Sequence, residues 1–391
     1  MCPANNENNS RYEFNKNRAK GLGSNKKDYR RKRVNMKVKL AEAEFTKDFE
    51  FDYNNLHEQL HAQRLSRFAV ICAAINDDNK SELGKIKEVF NQIMDMDEER
   101  RKFFMDDPAF VRWLDCLITA IKNLPESLSS VQELSNKLDG LIERVEKRMN
   151  KSNFSYIKGT SILVQRLDLD DIIKEATPPT YDFAMLEDTY SPASEVFPTM
   201  DQFTDNITLA FKEIKKCDPK LWDLLQSLIQ IIGYTPDATF RSCSAARYQG
   251  VVYLCGIENS IIDLEESIVH EAAHQLLYKI SELYPITGPD AARDPIYELP
   301  WSGAKRNLFG YYHAFFIYLQ LVKYFDHRAK TAGDETAYIE RKRELIHRGL
   351  MVAAKDLAYV PGMTDYGRSL YNHLVDEINA LYQTPVLSIV K

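Results

Sequence analysis

The segment His270–His274 reads His-Glu-Ala-Ala-His, a spacing that suits a metal site. Residues four apart lie on the same face of an α-helix, so the imidazoles of His270 and His274 can bind one ion together. Glu271 lies about 100° further round the helix. Its carboxylate can act as a base, support the site from outside the coordination shell, or bind the ion itself. The segment therefore predicts a metal centre on a helix. It does not choose among these three roles for Glu271.

A second match to the same pattern, His57–His61, shows that the short motif alone is weak evidence. The two matches differ in their surroundings. The flanks of His270 are apolar and include Ile268 and Leu276, and buried imidazoles need partners, which a metal supplies. Two hydrogen-bonded core histidines are the alternative there. The surroundings of His57 are polar, so we expect this pair to lie on the exposed face of an amphipathic helix without a metal.

A third protein ligand would leave the remaining coordination positions open to a substrate. His313 is the best candidate because it lies in an aromatic, apolar stretch, Gly310–Phe316, that predicts a buried helix. The connection Pro285–Pro300 can fold this helix back antiparallel to the first one. Glu282 lies on the first helix but about 12 Å beyond the histidine pair along its axis, too far to share the ion. We therefore predict His313 as the third ligand.

The elements expected around these residues are mainly α-helices with a small β component, an α+β arrangement. The apolar run Val251–Leu254 reads as a short strand just before the helix Ile261–Tyr284, which carries the histidine pair. Ser161–Leu167 is also strand-like. Apolar residues at helical spacing predict further helices, within 38–150 and at Thr199–Ile232, Leu308–Arg328, Thr336–Leu357 and Gly367–Leu381.

Changes in composition divide the chain into three regions. Residues 1–37 are rich in Asn, Lys and Arg and poor in apolar residues, so we expect a disordered basic tail. Residues 38–150 form a helical N-terminal region. Residues 151–391 form the metal-binding catalytic region, which can be one continuous domain with 38–150.

The bulk composition is ordinary for a soluble globular protein and indicates neither a disordered nor a fibrous class. The chain has 391 residues, of which 44% are hydrophobic, and a net charge of −6, which disfavours nucleic-acid binding. No apolar run approaches the roughly 18 residues of a membrane span, and no signal peptide is recognisable. Six scattered cysteines fit reduced thiols rather than disulfides. We expect a cytoplasmic protein that binds neither nucleic acid nor membrane.

The stretch around the histidines resembles a known family. The segment Ser267–His274, followed by Trp301, Arg306, Gly310 and His313 at their observed spacing, is similar to the HExxH-motif peptide-modification proteins found beside precursors of ribosomal peptide natural products. Weaker similarity runs from about residue 60 to the C-terminus. The chain departs from the family pattern in having Ser302 and Asn307 where Arg and Pro are expected.

The resemblance implies an enzyme with a defined chemistry. Members of that family are iron(II)/2-oxoglutarate-dependent oxygenases that hydroxylate a side-chain β-carbon of a precursor peptide. The expected cofactors are then Fe(II), held by His270, His274 and His313, and 2-oxoglutarate, whose distal carboxylate needs a cation. We expect Arg306 to provide it, because a guanidinium binds carboxylates bidentately. The strand Val251–Leu254 can pair with an extended peptide by strand addition or lie inside a sheet.

Two other functions remain open. The same two histidines can hold Zn(II) in a metallopeptidase, with Glu271 as the general base that deprotonates a zinc-bound water. A metal-free helical protein, which uses its basic arm and helical N-terminal region to bind a peptide, is the second alternative. Oligomeric state is not readable from the sequence.

Overall fold

The computed structural model describes residues 53–74, 83–123, 127–150, 155–166, 197–234, 236, 241–258, 260–291, 296–331 and 333–382. Within these ranges the chain has twelve α-helices and seven short strands. The expected class, mainly α with a small β component, is therefore confirmed. None of the described helices combines the length and the apolar composition that a membrane crossing requires. The tail predicted at 1–37 lies outside the described residues.

Six helices make up the first part of the described chain. They are α1 (Tyr53–Ala74), α2 (Leu83–Asp95), α3 (Glu98–Asp106), α4 (Pro108–Lys122), α5 (Leu128–Asn136) and α6 (Leu138–Met149). Phe68, Phe110 and Trp113 pack against one another at the centre of their apolar core. Asp107 caps α4 by accepting hydrogen bonds from the first backbone N–H groups, and it also accepts two from Arg148 at 2.7 and 2.6 Å. This buried ion pair ties α4 to α6.

A five-stranded sheet follows. Its strands are β1 (Ser155–Tyr156), β2 (Leu163–Arg166), β3 (Ile231–Tyr234), β4 (Ser242–Cys243) and β5 (Val251–Leu254), in the order β1-β2-β3-β5-β4. The three central strands are parallel and fully or largely buried, whereas β1 and β4 pair antiparallel at the edges. The predicted strand at 251–254 is β5. Because β5 lies between β3 and β4, both of its edges are already paired and it cannot accept an added peptide strand. Of the two roles predicted for this segment, the inner position in a sheet is therefore the correct one.

The prediction of a single helix at Thr199–Ile232 is wrong. The segment forms α7 (Met200–Cys217), α8 (Pro219–Leu228) and then β3. Asp218 ends α7, and its side chain accepts a hydrogen bond from the backbone N–H of Leu221 at 2.9 Å, which starts α8. A residue before proline is driven out of the helical region, so the helix breaks where Pro219 follows Asp218.

Four long helices complete the described chain. They are α9 (Ile261–Leu283), α10 (Leu308–Ala329), α11 (Thr336–Leu357) and α12 (Asp365–Tyr382), with the small hairpin β6 (Tyr297–Glu298) and β7 (Lys305–Arg306) before α10. Near its start α9 carries Glu265, which accepts hydrogen bonds from Tyr324 and Arg328 near the end of α10. The pair is therefore antiparallel, as the sequence predicted, and its interface is the centre of the larger apolar core.

Helix α1 contributes to both cores. Leu56 and Leu60 pack in the larger core with α9 and α10, whereas Phe68 and Cys72 pack among α1–α6. Helix α1 therefore joins the N-terminal helices to α9, the metal-motif helix that carries His270 and His274.

Candidate metal centre

The histidine-bearing face of α9 is a polar stripe on a largely buried helix. Asp263, Ser267, His270, His274 and Tyr278 recur every three or four residues, and this spacing aligns side chains on one face. The opposite faces are apolar and lie in the core. Contacts from Arg241, directly before β4, and from His313 on α10 both reach the stripe, so the candidate site lies between these two parts of the chain.

Gln275, directly after His274, fixes the rotation of α9 against the sheet. Its side chain is fully buried. Its Oε1 accepts a hydrogen bond from the backbone N–H of Gly250 at 2.8 Å, and its Nε2 donates to the carbonyl of Val251 at 2.9 Å. Because both bonds go to the start of β5, α9 cannot turn its polar stripe away without leaving buried polar groups unpaired.

Three imidazoles meet between α9 and α10. Nε2 of His274 lies 3.0 Å from Nε2 of His270, and Nδ1 of His274 lies 2.7 Å from Nε2 of His313. The antiparallel return of α10 is what carries His313 to the pair. The structure brings together all three histidines that the sequence singled out as ligands.

His274 is the central ring, and its two nitrogens have different neighbours. Among the described residues, His270, Glu271 and His274 form the one group whose potential ligand atoms all lie within 4.8 Å of one another. An ion between the Nε2 atoms of His270 and His274 would leave His313 on the Nδ1 side, where it can orient the ring by a hydrogen bond. Direct ligation by His313 requires His274 to turn its ring. His313 is thus a ligand in one arrangement and an orienting residue in the other.

Burial keeps the three imidazoles neutral. Loss of solvent lowers the pKa of His270 to about 4 and that of His313 to about 3, and it holds the pKa of His274 well below its usual range. The neighbouring rings lower the pKa of His274 further. A neutral imidazole is the form that binds a metal. The donor set therefore suits a divalent transition metal at neutral pH without prior loss of protons.

Glu271 lies beside the pair, with its carboxylate held from the sheet edge. The side chain is only 2% exposed, and the hydroxyl of Ser242 on β4 donates a hydrogen bond to Oε1 at 2.8 Å. A carboxylate fixed in this way can accept a proton from a bound substrate or bind the ion directly. Its position agrees with each of the roles that the sequence left open.

Aromatic rings pack against the histidines at both ends of the site. The ring centroid of Tyr278 lies 5.9 Å from that of His274 and 4.9 Å from that of His313. At the other end, the ring of Tyr318 lies 6.1 Å from that of His270. Sequence reasoning missed Tyr278, although its position one turn after His274 on the same face was a sufficient signal.

Trp301 is a packing residue rather than a wall of the site. Its ring stacks on Tyr318 at 4.1 Å, and its Nε1 donates to the carbonyl of Ile346 at 3.2 Å. It also lies against Gly349 of α11, where an added Cβ would meet Trp301 Nε1 at 2.0 Å. Trp301 thus supports the ring that faces His270.

Arg306, the residue expected to bind 2-oxoglutarate, lies on β7 at the His313 end of the site. Its side chain covers Gly310, one turn before His313 on α10. Its Nη1 donates to the carbonyl of Lys305 at 3.1 Å in an exposed setting. The structure places Arg306 beside the helix that carries the third histidine, and it records no contact of Arg306 with the imidazoles among the described residues.

A second arginine, Arg241, lies at the opposite end of the site. Its Nε donates to Ser267 Oγ at 2.8 Å, and its Nη2 donates to the carbonyl of Asp263. Its positive charge contributes to the lowered pKa of His270. Sequence reasoning missed Arg241 because it precedes a two-residue strand, with no spacing that relates it to the motif.

The second His-Glu-x-x-His match, on α1, lies in a cluster of buried charges. His57 contacts Asp106 through Nε2, and Arg64 forms ion pairs with Asp106 and with Glu282 of α9, both at 3.0 Å. The expectation of an exposed face is wrong for His61, which is buried because α3 packs on this side of α1. No group of three metal-ligating side chains forms here in the described part of the chain.

Lys279 belongs to the same cluster. It is 2% exposed. Burial lowers its pKa to about 8, with a further contribution from Arg64, while Asp106 and Glu282 act in the opposite direction. We call these residues, Arg64, Asp106, Lys279 and Glu282, the α1–α9 ionic cluster. It joins the N-terminal helices to the distal half of the metal-motif helix.

Comparison with known proteins adds no family to these observations. No protein-family model matches the chain, and no curated protein matches it. The functional argument therefore rests on the arrangement of His270, Glu271, His274 and His313.

Proposed function

We propose that the chain is an iron(II)/2-oxoglutarate-dependent oxygenase that acts in the cytoplasm on a ribosomally made peptide and hydroxylates a side-chain β-carbon. The observation that carries the proposal is the convergence of His270, His274 and His313 from two antiparallel helices. These three residues would hold an iron ion and would leave part of its coordination shell free for a 2-oxo acid and O₂.

The residues present fit such an ion. Imidazole nitrogens suit iron, zinc, copper and nickel alike, and burial keeps all three rings in the metal-binding form. Bound iron would supply the oxidation, in which O₂ delivers one oxygen atom to the peptide C–H bond and the other to the 2-oxo acid, which loses CO₂. The side chains of this protein would bind the reactants and hold them in position.

Those side chains can hold and orient the reactants. Gln275 keeps the histidine face of α9 turned towards α10. Ser242 holds the Glu271 carboxylate next to the ligand atoms, where it can orient the peptide or take up a proton. Tyr278 and Tyr318 pack against the imidazoles and shield part of their surface from water. Exclusion of water strengthens electrostatic contacts within a site.

Anaerobic reconstitution with iron(II), followed by 2-oxoglutarate, tests the proposal. We expect a weak visible charge-transfer band that disappears when O₂ is admitted, and its absence or strong reduction in His313→Ala. The matched control is His57→Ala, which removes a histidine of the other His-Glu-x-x-His motif and should retain the band. A folded, iron-loaded protein that shows no band with 2-oxoglutarate would refute the proposal.

A zinc metallopeptidase is the second candidate, and the fixed position of Glu271 favours it. The hydrogen bond from Ser242 holds one carboxylate oxygen, as a general base beside a metal-bound water would require. If this function is correct, the zinc-loaded protein should cleave peptides without O₂, and Glu271→Gln should lose cleavage while it retains zinc. Peptide hydroxylation that requires O₂ would exclude it.

A further inference from the structure

We propose that the outer face of α11 is a dimer interface, on which a second copy of this chain packs through an antiparallel pairing of the two α11 helices. The inference goes beyond the proposed function and uses none of the residues of the candidate metal centre. The residues that carry it, which we call the α11 outer face, are Leu345, Arg348, Val352, Asp356 and Tyr359.

Three large apolar side chains of the α11 outer face are exposed. Leu345 is 56% exposed, Val352 49% and Tyr359 85%. They follow one another at intervals of seven residues, a spacing that aligns side chains on one face of a helix. Tyr359 comes directly after the C-cap Ala358, whose φ of −54° and ψ of −42° are helical, so the spacing continues past the end of α11. The three side chains form one apolar stripe about 21 Å long.

This stripe differs from the other exposed apolar residues of the described chain. Those residues lie singly, one to an element, at Val70, Met94, Phe103, Leu128, Leu209 and Ile296. Single exposed apolar side chains are normal on a protein surface, whereas a contiguous set marks an interaction surface. The opposite side of α11, with Ile346, Leu350, Ala353 and Leu357, is already buried against α10. The outer face is therefore a second apolar side of a helix that has already contributed to the core.

The residues of the outer face complement one another when the helix is paired with a copy of itself. In an antiparallel pair with a two-fold axis at Val352, residues at equal distances before and after Val352 face each other. Leu345 of one copy then faces Tyr359 of the other, because each lies seven residues from the axis. Arg348 faces Asp356, because each lies four residues from it, and the symmetry makes this ion pair twice. Apolar side chains thus meet apolar ones, and opposite charges meet.

The two charged residues can form this contact at little cost. Arg348 is 74% exposed and pairs with Glu344, one turn before it on α11. An exposed ion pair of this kind contributes little to stability, so the guanidinium can turn towards a partner. Asp356 is exposed, and its Oδ2 accepts a hydrogen bond from Tyr311 at 2.5 Å. That bond holds the carboxylate in place at the end of the stripe.

The charges beside the stripe favour a second copy over other occupants. A nucleic acid or an anionic membrane surface binds a face of positive charge. Here both signs flank the apolar residues, with acidic side chains at Glu344 and Asp356 and basic ones at Arg341, Arg348 and Lys355. The apolar contact extends over only about four helical turns, which is short for a permanent complex. We therefore expect a dissociation constant on the order of micromolar.

Sedimentation velocity of the full chain at increasing concentration tests the proposal. Val352→Lys places two ammonium groups at the axis, and it should raise the dissociation constant of the dimer at least about thirtyfold, as substitution of a central interface residue does. Val70→Lys is the matched control, because Val70 is also an exposed valine of a helix, 61% exposed, and lies outside the stripe. This control should dimerise as the wild type does.

An exchange of charge tests the register of the pairing. Arg348→Glu and Asp356→Lys each set like charges against each other twice, so either variant alone should dimerise about tenfold more weakly than the wild type. An equimolar mixture of the two variants restores opposite charges at both contacts. We expect a heterodimer there with about the wild-type dissociation constant, measured by sedimentation of one fluorescently labelled variant. Recovery on mixing cannot come from a variant that fails to fold.

Three results would overturn the inference. The first is a wild type that stays monomeric at about a hundred times the expected micromolar dissociation constant, which would leave the face to a different partner. The second is a Val352→Lys variant that dimerises as strongly as the wild type, which would place the interface elsewhere on the molecule. The third is a mixture of Arg348→Glu and Asp356→Lys that associates no better than either variant alone.

Discussion

Replacement of Lys279 by methionine should stabilise the protein at neutral pH. Burial lowers the pKa of Lys279 from 10.5 to about 8, so the folded protein binds its proton more weakly than the unfolded chain does. One pKa unit corresponds to about 1.4 kcal/mol. The charged lysine therefore costs the fold about 3 kcal/mol at pH 7. Methionine keeps a flexible stem of similar length without the charge.

The sign of the pH dependence follows from the same pKa values. Between pH 8 and pH 10.5 the unfolded chain binds more protons at this position than the folded protein, so the wild type gains stability with rising pH. The advantage of Lys279→Met should therefore be full below pH 8 and should vanish above about pH 10.5. The carboxylates of Asp106 and Glu282 remain paired with Arg64 in the variant, so the substitution leaves no unpaired buried charge.

Urea unfolding of the two proteins at pH 7, 9 and 10.5 measures this difference, and contributions from other groups cancel in the comparison. Lys212→Met, at an exposed position of α7, is the matched control and should change the free energy of unfolding by less than about 0.5 kcal/mol. The reasoning is refuted if Lys279→Met is no more stable than the wild type at pH 7, or if its advantage is the same at pH 10.5.

Three other substitutions test the site and its supports. His313→Ala should weaken zinc or cobalt binding at least about tenfold, as loss of a ligand or of an orienting partner does, in a competition with a chromophoric chelator. Glu282→Gln should cost about 3–5 kcal/mol because it removes one of the two buried carboxylates that pair with Arg64 and leaves the positive charge there only partly compensated. Since the pKa of Glu282 is lowered to about 2, the wild type should lose this advantage between about pH 4.5 and pH 2 in acid unfolding. Gly349→Ala should displace Trp301, cost about 1–3 kcal/mol and change the tryptophan fluorescence; an unchanged spectrum would contradict the close contact.

The features that the sequence predicted well depend on local spacing. The apolar flanks separated the buried His270 motif from its copy on α1, and the aromatic stretch around His313 indicated a buried helix. The prediction of a strand at 251–254 was also correct, because a short run with β-branched residues bounded by glycine favours a strand over other structures. These predictions needed only the residues within one or two turns.

The features that the sequence missed depend on distant partners or on ambiguous runs. The apolar residues from Leu228 to Ile232 continue the helical pattern of α8, and periodicity alone does not separate a short buried strand from a helix end. His61 is buried because residues of α3, some 40 positions away, pack on α1. Arg241 and Arg306 are equivalent as single arginines in the sequence, and only the fold shows that Arg241 bonds to Ser267 of α9 whereas Arg306 lies over Gly310 of α10.

The α1–α9 ionic cluster has a consequence for where the chain can be divided. Composition suggests a border near residue 151, and a protein engineer would begin an isolated catalytic fragment there. Such a fragment would expose Glu282 and Lys279 without Arg64, and it would uncover the apolar surface on which Leu56 and Leu60 pack. The shortest fragment that keeps the metal-motif helix supported must therefore begin ahead of α1, and α1 is as much a part of the candidate enzyme as the helix that bears its histidines.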